Sequence, residues 1–255
     1  MNIYVCVKHV PDSAATITIR GDNQIDESVT FLLNPYDEHA VEEGARLKGQ
    51  IGDSEVVAVT LGKEAAISTL QSALAMGADR GILIKTDDRP DSLFTARALK
   101  AAIEQDGKPD IIFTGKESID SEGMQTMFRL AAALDMPVAA NVVAFSIERD
   151  HALVECEMEA GVRQLLEMPF PCVIGAGKGL NKPKYPTFID IRKAKKKEVK
   201  QIDLASLKIE KPAASMKISQ LKPAMEQRQP KELKGRPEEA VQQLIQVLRD
   251  EAKVI

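Results

Sequence analysis

The stretch Asp110-Ile111-Ile112-Phe113-Thr114-Gly115-Lys116-Glu117-Ser118-Ile119-Asp120-Ser121-Glu122-Gly123-Met124-Gln125-Thr126 decides the fold. Residues 110–114, β-branched or aromatic from Ile111 on, are too brief for a helix and read as a buried strand. A polar segment with two glycines follows, and the spacing then predicts a helix over Glu122 to Leu134. The same unit repeats upstream. Glu55 to Thr60 reads as a strand before a helix from Lys63 to Met76, which Gly77 stops. Gly81 to Ile84 reads as a strand before a helix from Ser92 to Glu104, with Asp91 as N-cap. Ile3 to Val7 is the first strand. A loop or small hairpin follows through Ile17-Thr18-Ile19 and Gly21-Asp22-Asn23, and then a helix opened by Asn34-Pro35 runs through Ala40, Val41, Ala45 and Leu47. Strands that alternate with helices and are apolar almost throughout predict an α/β fold: a mostly parallel nucleotide-binding sheet with helices on both faces.

Past Pro137 the pattern changes. Val142 to Ile147, Ala152 to Cys156 and Val162 to Leu166 read as strands joined by tight turns at Arg149-Asp150-His151 and Ala160-Gly161, an antiparallel edge meander. Pro171 to Gly175 returns to a buried strand. From Gly177 to about Gly235 the chain is rich in Lys, Pro and Ser and reads as a long C-terminal arm. It ends in an amphipathic helix from Arg236 to Val254, with Val241, Leu244, Ile245 and Leu248 on one face.

The 255 residues carry a net charge of −4, which hides a split. Lys178 to Arg236 holds 17 Lys/Arg against 6 Asp/Glu, whereas Met1 to Gly177 holds 15 against 28. The basic stretch suits nucleic acid or an acidic protein surface; with little aromatic interleaving, nucleic acid is the poorer match. Cys6, Cys156 and Cys172 are an odd, widely spaced trio that fits a reducing compartment without a disulfide framework. No apolar run reaches the roughly 20 residues of a membrane span, and the first residues enter a strand without the basic n-region of a signal peptide. The reading is therefore no direct membrane insertion and a cytoplasmic (bacterial) or equivalent reducing compartment. With only three histidines and no Cys-x-x-Cys, a structural metal site is not expected.

In an open parallel sheet, ligands bind beyond the C-terminal strand ends at the switch in strand order. Those ends are Cys6-Val7-Lys8, Thr60-Leu61-Gly62 and Thr114-Gly115-Lys116. The segment Gly115 to Thr126 could hold a phosphate on the backbone N–H groups of its helix start. It lacks the Gly-Lys-Ser/Thr ending of a P-loop, and no Gly-x-Gly-x-x-Gly follows the first strand. A plain strand–helix loop fits equally well. Asn34 also suits a helix cap, Cys6 and Cys172 suit buried small apolar positions, and His9, His39 and His151 suit ordinary ones. With no nucleophile–base pair and no paired carboxylates, local chemistry leaves the function open.

Several separated motifs narrow it. Val7-Lys8-His9-Val10-Pro11-Asp12, Leu33-Asn34-Pro35-Tyr36-Asp37, Ala40-Val41-Glu42-Glu43, Ala73 to Arg80, Gly115-Lys116-Glu117-Ser118-Ile119-Asp120 and Lys193-Ala194-Lys195-Lys196-Lys197 occur in that order. From residue 2 to about 200 the chain resembles the beta subunits of electron transfer flavoproteins. The resemblance implies an electron carrier subunit, not an enzyme: half of a heterodimer with an alpha subunit, binding AMP structurally and sharing a redox FAD held mostly by that partner. Electrons would arrive from acyl-CoA dehydrogenases and related flavoenzymes, as in fatty acid oxidation, and leave toward a quinone oxidoreductase.

By the same resemblance, AMP contacts fall on Cys6, on Asn34, Pro35, Tyr36 and Asp37, on Leu61, and on Gly115, Ser118, Ile119, Asp120, Ser121, Gly123, Met124, Gln125 and Thr126. Asn34 and Asp37 suit the adenine or ribose; Ser118, Ser121, Gln125 and Thr126 suit the phosphate. The stretch Gly179 to Phe188 resembles the family's recognition loop, with Phe188 as the apolar anchor and Tyr185, Lys193 and Lys196 beside it as partner contacts. A Phe188 packed inside the protein would remove that role. The implied organisation is an α/β nucleotide-binding domain over 1–190, then an extended basic arm and C-terminal helix over 191–255 that pack on the partner subunit.

Two departures stand out. Ser13 replaces an aromatic common near the flavin, with Tyr36 as a substitute ring, and Met124 replaces a polar residue of the AMP loop. A branch of the family that bifurcates electrons binds a second FAD in place of AMP, with NADH nearby. Val10-Pro11-Asp12 is similar to that branch, whereas Gln125-Thr126 and two bulky methionines favour AMP. An adenine-nucleotide sensor of the universal-stress type shares the architecture, but the basic arm argues against it.

Overall fold

The computed structural model describes residues 1–210, 218–223 and 230–255, and the chain forms two compact units, Met1–Ser219 and Gln220–Ile255. In chain order the strands of the first unit are β1 (Asn2–Cys6), β2 (His9–Pro11), β3 (Ile19–Arg20), β4 (Gln24–Ile25), β5 (Phe31–Leu33), β6 (Glu55–Gly62), β7 (Arg80–Lys85), β8 (Ile111–Gly115), β9 (Val138–Glu148), β10 (His151–Glu157), β11 (Arg163–Pro169), β12 (Cys172–Ala176) and β13 (Val199–Asp203). Its helices are α1 (Pro35–Ile51), α2 (Ile67–Met76), α3 (Ser92–Asp106), α4 (Thr126–Leu134) and α5 (Phe188–Ala194).

Nine strands form one sheet in the order β11-β10-β9-β12-β8-β1-β6-β7-β13. Every neighbouring pair from β9 to β13 is parallel, and β10 runs antiparallel to β9 and β11. The edge meander is therefore where the sequence places it. The small hairpin β3–β4 turns at Gly21, whose φ of 61° suits glycine.

Strand alternation sorts the core into two layers. Ile3, Val5 and Val7 pack with Ala40, Val41 and Leu47 of α1 and with Leu70, Ala73 and Leu74 of α2. Tyr4 and Cys6 point the other way, toward Ala98, Leu99 and Ala102 of α3 and Leu130 and Ala131 of α4. Helices thus cover both faces, as the continuous apolar strands require. Gly44 lets α1 lie close on β1, because a Cβ there would fall 3.1 Å from Val5 Cγ2. Phe113 is fully buried and meets Phe145 edge-on at 5.3 Å, tying the parallel core to the meander.

Two elements differ from the sequence reading. The helix expected from Glu122 begins at Thr126, since Glu122 and Met124 take φ of 46° and 50°, left-handed values that a helix cannot include. The stretch read as an arm also contributes secondary structure: α5 packs beside α2, and β13 pairs with β7 as the last strand of the sheet. In β13 only Ile202 is buried, so this edge strand leaves almost no apolar signature in a lysine-rich context.

In the second unit, helix α6 (Pro237–Gln246) has Pro237 in its first turn and continues through a π-turn at Val247–Glu251. Val241, Leu244 and Ile245 are exposed along it.

Candidate functional site

The chain runs from β1 to β6 and β7 on one side and returns through β8 on the other, so the strand order switches between β1 and β8. Beyond their C-terminal ends, at Cys6 and Gly115, the two connections diverge, which in an open parallel sheet is where a ligand crevice lies. Of the site residues read from the sequence, Cys6, Asn34 to Asp37 and the loop after Gly115 come together here.

Asp37, in the first turn of α1 and only 5% exposed, closes the floor. Its Oδ2 accepts the backbone N–H of Lys8 at 2.7 Å, and its Oδ1 accepts the backbone N–H of Gly115 at 3.0 Å. One carboxylate therefore joins the ends of the two strands that flank the switch. Burial pushes this carboxyl up to about 7, against the downward pull of Asn34, of the two N–H bonds and of the Lys8 charge. Burial also pushes the Cys6 thiol up to about 12, with the charge of Asp37 adding to the shift, so Cys6 is a neutral wall and not a nucleophile. Gly115 must be glycine: a Cβ there would lie 2.7 Å from Tyr36 Cβ and closer still to Asp37 Oδ1.

Asn34 occupies the N-cap position of α1 but makes no side-chain cap bond. Instead its Nδ2 donates to Glu117 O at 2.8 Å, and its Oδ1 accepts the N–H of Ile119 at 3.2 Å. Buried to 1% exposure, it fastens the loop after β8 to the start of α1. Pro35 fixes the first turn of the helix. Tyr36 presents its ring to Lys116 Nζ, 5.2 Å from the centroid.

Lys8, the residue that sequence reasoning passed over, is the cation of the site. Its Nζ donates to Ser118 Oγ at 3.0 Å, Asp120 Oδ1 at 2.6 Å and Ser121 Oγ at 3.3 Å. Ser118 and Ser121 are themselves hydrogen-bonded, at 2.9 Å. Burial opposes ionisation of Asp120, but the Lys8 charge and hydrogen bonds hold its carboxyl below the usual range. Lys8 lies two residues past the end of β1, the strand that opens the switch. Gly123, Met124 and Gln125 are exposed, and α4 starts at Thr126 with no side-chain cap bond from Gln125. Hydroxyls, an ammonium and uncapped N–H groups at a helix start make this corner suited to an anion. Leu61 lies one strand over, near the end of β6, and packs toward the layer that contains Cys6.

The histidines are ordinary. His9 stacks on Phe31 at 4.7 Å and bonds Thr69 Oγ1 at 2.7 Å, and burial lowers its pKa.

Tyr185, Phe188, Lys193 and Lys196 form a separate group. Phe188 opens α5 and is 81% exposed, and Tyr185 is more exposed still. A capping box between Thr187 and Asp190 starts the helix. Lys197 Nζ anchors α5 by donating to Leu74 O and Ala78 O at the C-terminal end of α2. These residues therefore lie by the C-terminal end of α2, just ahead of β7, and away from the strand ends that flank the switch. Among the described residues, no helix is long and apolar enough to cross a membrane.

The profile of the electron transfer flavoprotein domain matches residues 22–207. The electron transfer flavoprotein subunit beta of Bacillus subtilis (strain 168) is 34% identical over 260 residues, covering 100% of both chains. The mitochondrial subunit beta of Arabidopsis thaliana is 34% identical over 259 residues, again with 100% of both covered. The subunit beta of Homo sapiens is 35% identical over 216 residues, covering 82% of this chain and 84% of that one.

Proposed function

The chain belongs to the electron transfer flavoprotein family, among its beta subunits, and from that premise we propose that it is the adenylate-holding half of a heterodimeric electron carrier. The crevice takes AMP. Lys8, Ser118, Ser121, Gln125 and Thr126 hold its phosphate, and Cys6, Asn34, Tyr36 and Leu61 line the side for base and ribose. One observation carries this reading most. Lys8 Nζ sits among two serine hydroxyls and a carboxylate of the loop that leads to the start of α4, and that loop leaves a strand end at Gly115 packed too tightly to take a Cβ. An anion placed there gains the Lys8 ammonium and the serine hydroxyls as donors.

The redox FAD belongs mainly to the alpha subunit, and this flavin supplies the electron chemistry. The beta chain positions it and presents the docking residues Tyr185, Phe188, Lys193 and Lys196. Acyl-CoA dehydrogenases and related flavoenzymes deliver electrons, and a quinone oxidoreductase takes them. The apolar face of Val241, Leu244 and Ile245 in α6 meets the alpha subunit, because its exposure on an isolated chain calls for cover.

Coexpression with an alpha-type chain, followed by a count of released nucleotides, tests the reading. One FAD and one AMP per heterodimer is the expected result. A preparation without any adenine nucleotide beyond FAD refutes the assignment of the crevice. Two FAD per heterodimer, with flavin bleached by NADH, replaces it with the electron-bifurcating alternative.

A further inference from the structure

His39, Glu42, Glu43 and Arg46 fall at i, i+3, i+4 and i+7 of α1 and form one polar stripe beside the apolar stripe that faces the sheet. Glu43 is 0% exposed, and a buried carboxylate must be paired. Its partners come from two directions. Arg46 donates to Glu43 Oε1 from the same helix, and also to Phe145 O of β9 at 3.1 Å. Asn181, which follows β12 by five residues, donates through Nδ2 to Glu43 Oε2 and to His39 O, both at 2.9 Å. Asn181 Oδ1 meets His39 Nδ1 at 3.1 Å. Both amide hydrogens and one acceptor position of this side chain are therefore engaged on α1. Three residues on, the N–H of Lys184 donates to Oε2 of the buried Glu42 at 3.1 Å, and its Nζ stands 3.6 Å from Glu42 Oε1. The exposed rings of Tyr185 and Phe188 follow directly.

We propose that Asn181 is a positioning residue. It clamps the root of the 182–188 segment onto α1, so that Tyr185 and Phe188 are offered to an electron-donating partner in one stance; this rests on the docking role given above. The segment has no strand pairing of its own between β12 and α5. Its order therefore comes from these side-chain bonds and from Leu180, which packs against the core. A docking segment held in place before contact loses less freedom on binding. Removing the clamp weakens docking and leaves the chemistry after docking intact.

The test uses the full heterodimer with Asn181→Ala and the isosteric Asn181→Asp. Amide hydrogen exchange across 182–188 should quicken about ten-fold in both, as expected from the loss of one or two partly buried hydrogen bonds. The aspartate should match or exceed the alanine, because it sets a carboxylate against Glu43. With a reduced acyl-CoA dehydrogenase as probe, KM should rise about ten-fold with kcat within two-fold, and AMP content should not change. Wild-type exchange in 182–188 for both variants overturns the proposal, as does an aspartate variant that behaves like wild type. If the wild-type heterodimer accepts no electrons from the dehydrogenase, the docking role fails, and the exchange measurement still decides whether Asn181 orders the segment.

Discussion

Asp37 and Asp106 are two buried aspartates at opposite ends of β1, and the fold treats them in opposite ways. Asp37, at the C-terminal end, is satisfied by backbone N–H groups of Lys8 and Gly115, and burial raises its pKa. Asp106 closes α3 at the N-terminal end, with its side chain 8% exposed. It receives both Nη groups of Arg80, at 3.0 and 2.7 Å, and the hydroxyl of Tyr4 at 2.9 Å. Arg80 also forks onto Glu55. Burial pushes the Asp106 carboxyl up, but the Arg80 and Tyr4 bonds outweigh it and hold the group below the usual range. Fixed dipoles surround one carboxylate and a cation neutralises the other. The lower end is complete in itself, whereas the upper end keeps its cation, Lys8, one layer further out among the loop serines.

The largest effect should come from the completed end. Asp106→Ala strands Arg80 and the buried Tyr4 hydroxyl and should cost about 3 kcal/mol, the low end for a broken buried pair because Arg80 is partly exposed and keeps Glu55. Urea unfolding measures it, and AMP content should stay at the wild-type level. A loss below about 1 kcal/mol would remove the contrast.

Gly115→Ala should come next. Its Cβ collides with Tyr36 and Asp37, a case of overpacking that costs about 2 kcal/mol, and adenylate should be lost from the purified protein. Retention of AMP in this variant would separate the glycine from the site.

The smallest change carries the sharpest sign. Asp37→Asn should cost about 1 kcal/mol near neutrality, because one of the two backbone N–H groups then faces an NH₂. Since the folded pKa of Asp37 is raised from 3.8 to about 7, the folded chain binds more protons than the unfolded one between those values. The advantage of wild type over Asp37→Asn should therefore shrink as pH rises through that window and level off above it. For Asp106, with its folded pKa depressed, the advantage over Asp106→Ala is complete above the ordinary carboxylate range and is lost as pH falls through it. Denaturation midpoints at several pH values should give slopes of opposite sign, and slopes of the same sign would abolish the comparison.

The sequence made the upper end legible in outline. Apolar runs ending at Cys6 and Gly115 marked the strand ends, and the polar loop after Gly115 marked the crevice. Four features were not legible, for physical reasons. Lys8 is one lysine among many until the fold brings residues 118–121 beside it. The late start of α4 depends on left-handed backbone at Glu122 and Met124, which neither residue type announces. β13 is half exposed at an edge, so burial imposes a pattern on one residue only. The Tyr4–Arg80–Asp106 cluster joins positions 26 and 102 residues apart, beyond the reach of any local spacing rule.

The excursion from Ala176 to Val199 leaves one strand and rejoins the sheet five positions away, beyond β8, β1, β6 and β7. At about 4.8 Å per strand, that traverse is about 24 Å wide. The segment bearing Tyr185 and Phe188 is thus a strap buckled at both ends to the same frame. Its length is dictated by the width of the frame, while the identity of its exposed rings is left to whatever it must grip. Exchanging those rings should retune partners cheaply, whereas inserting or deleting residues between them should slacken or tear the buckle.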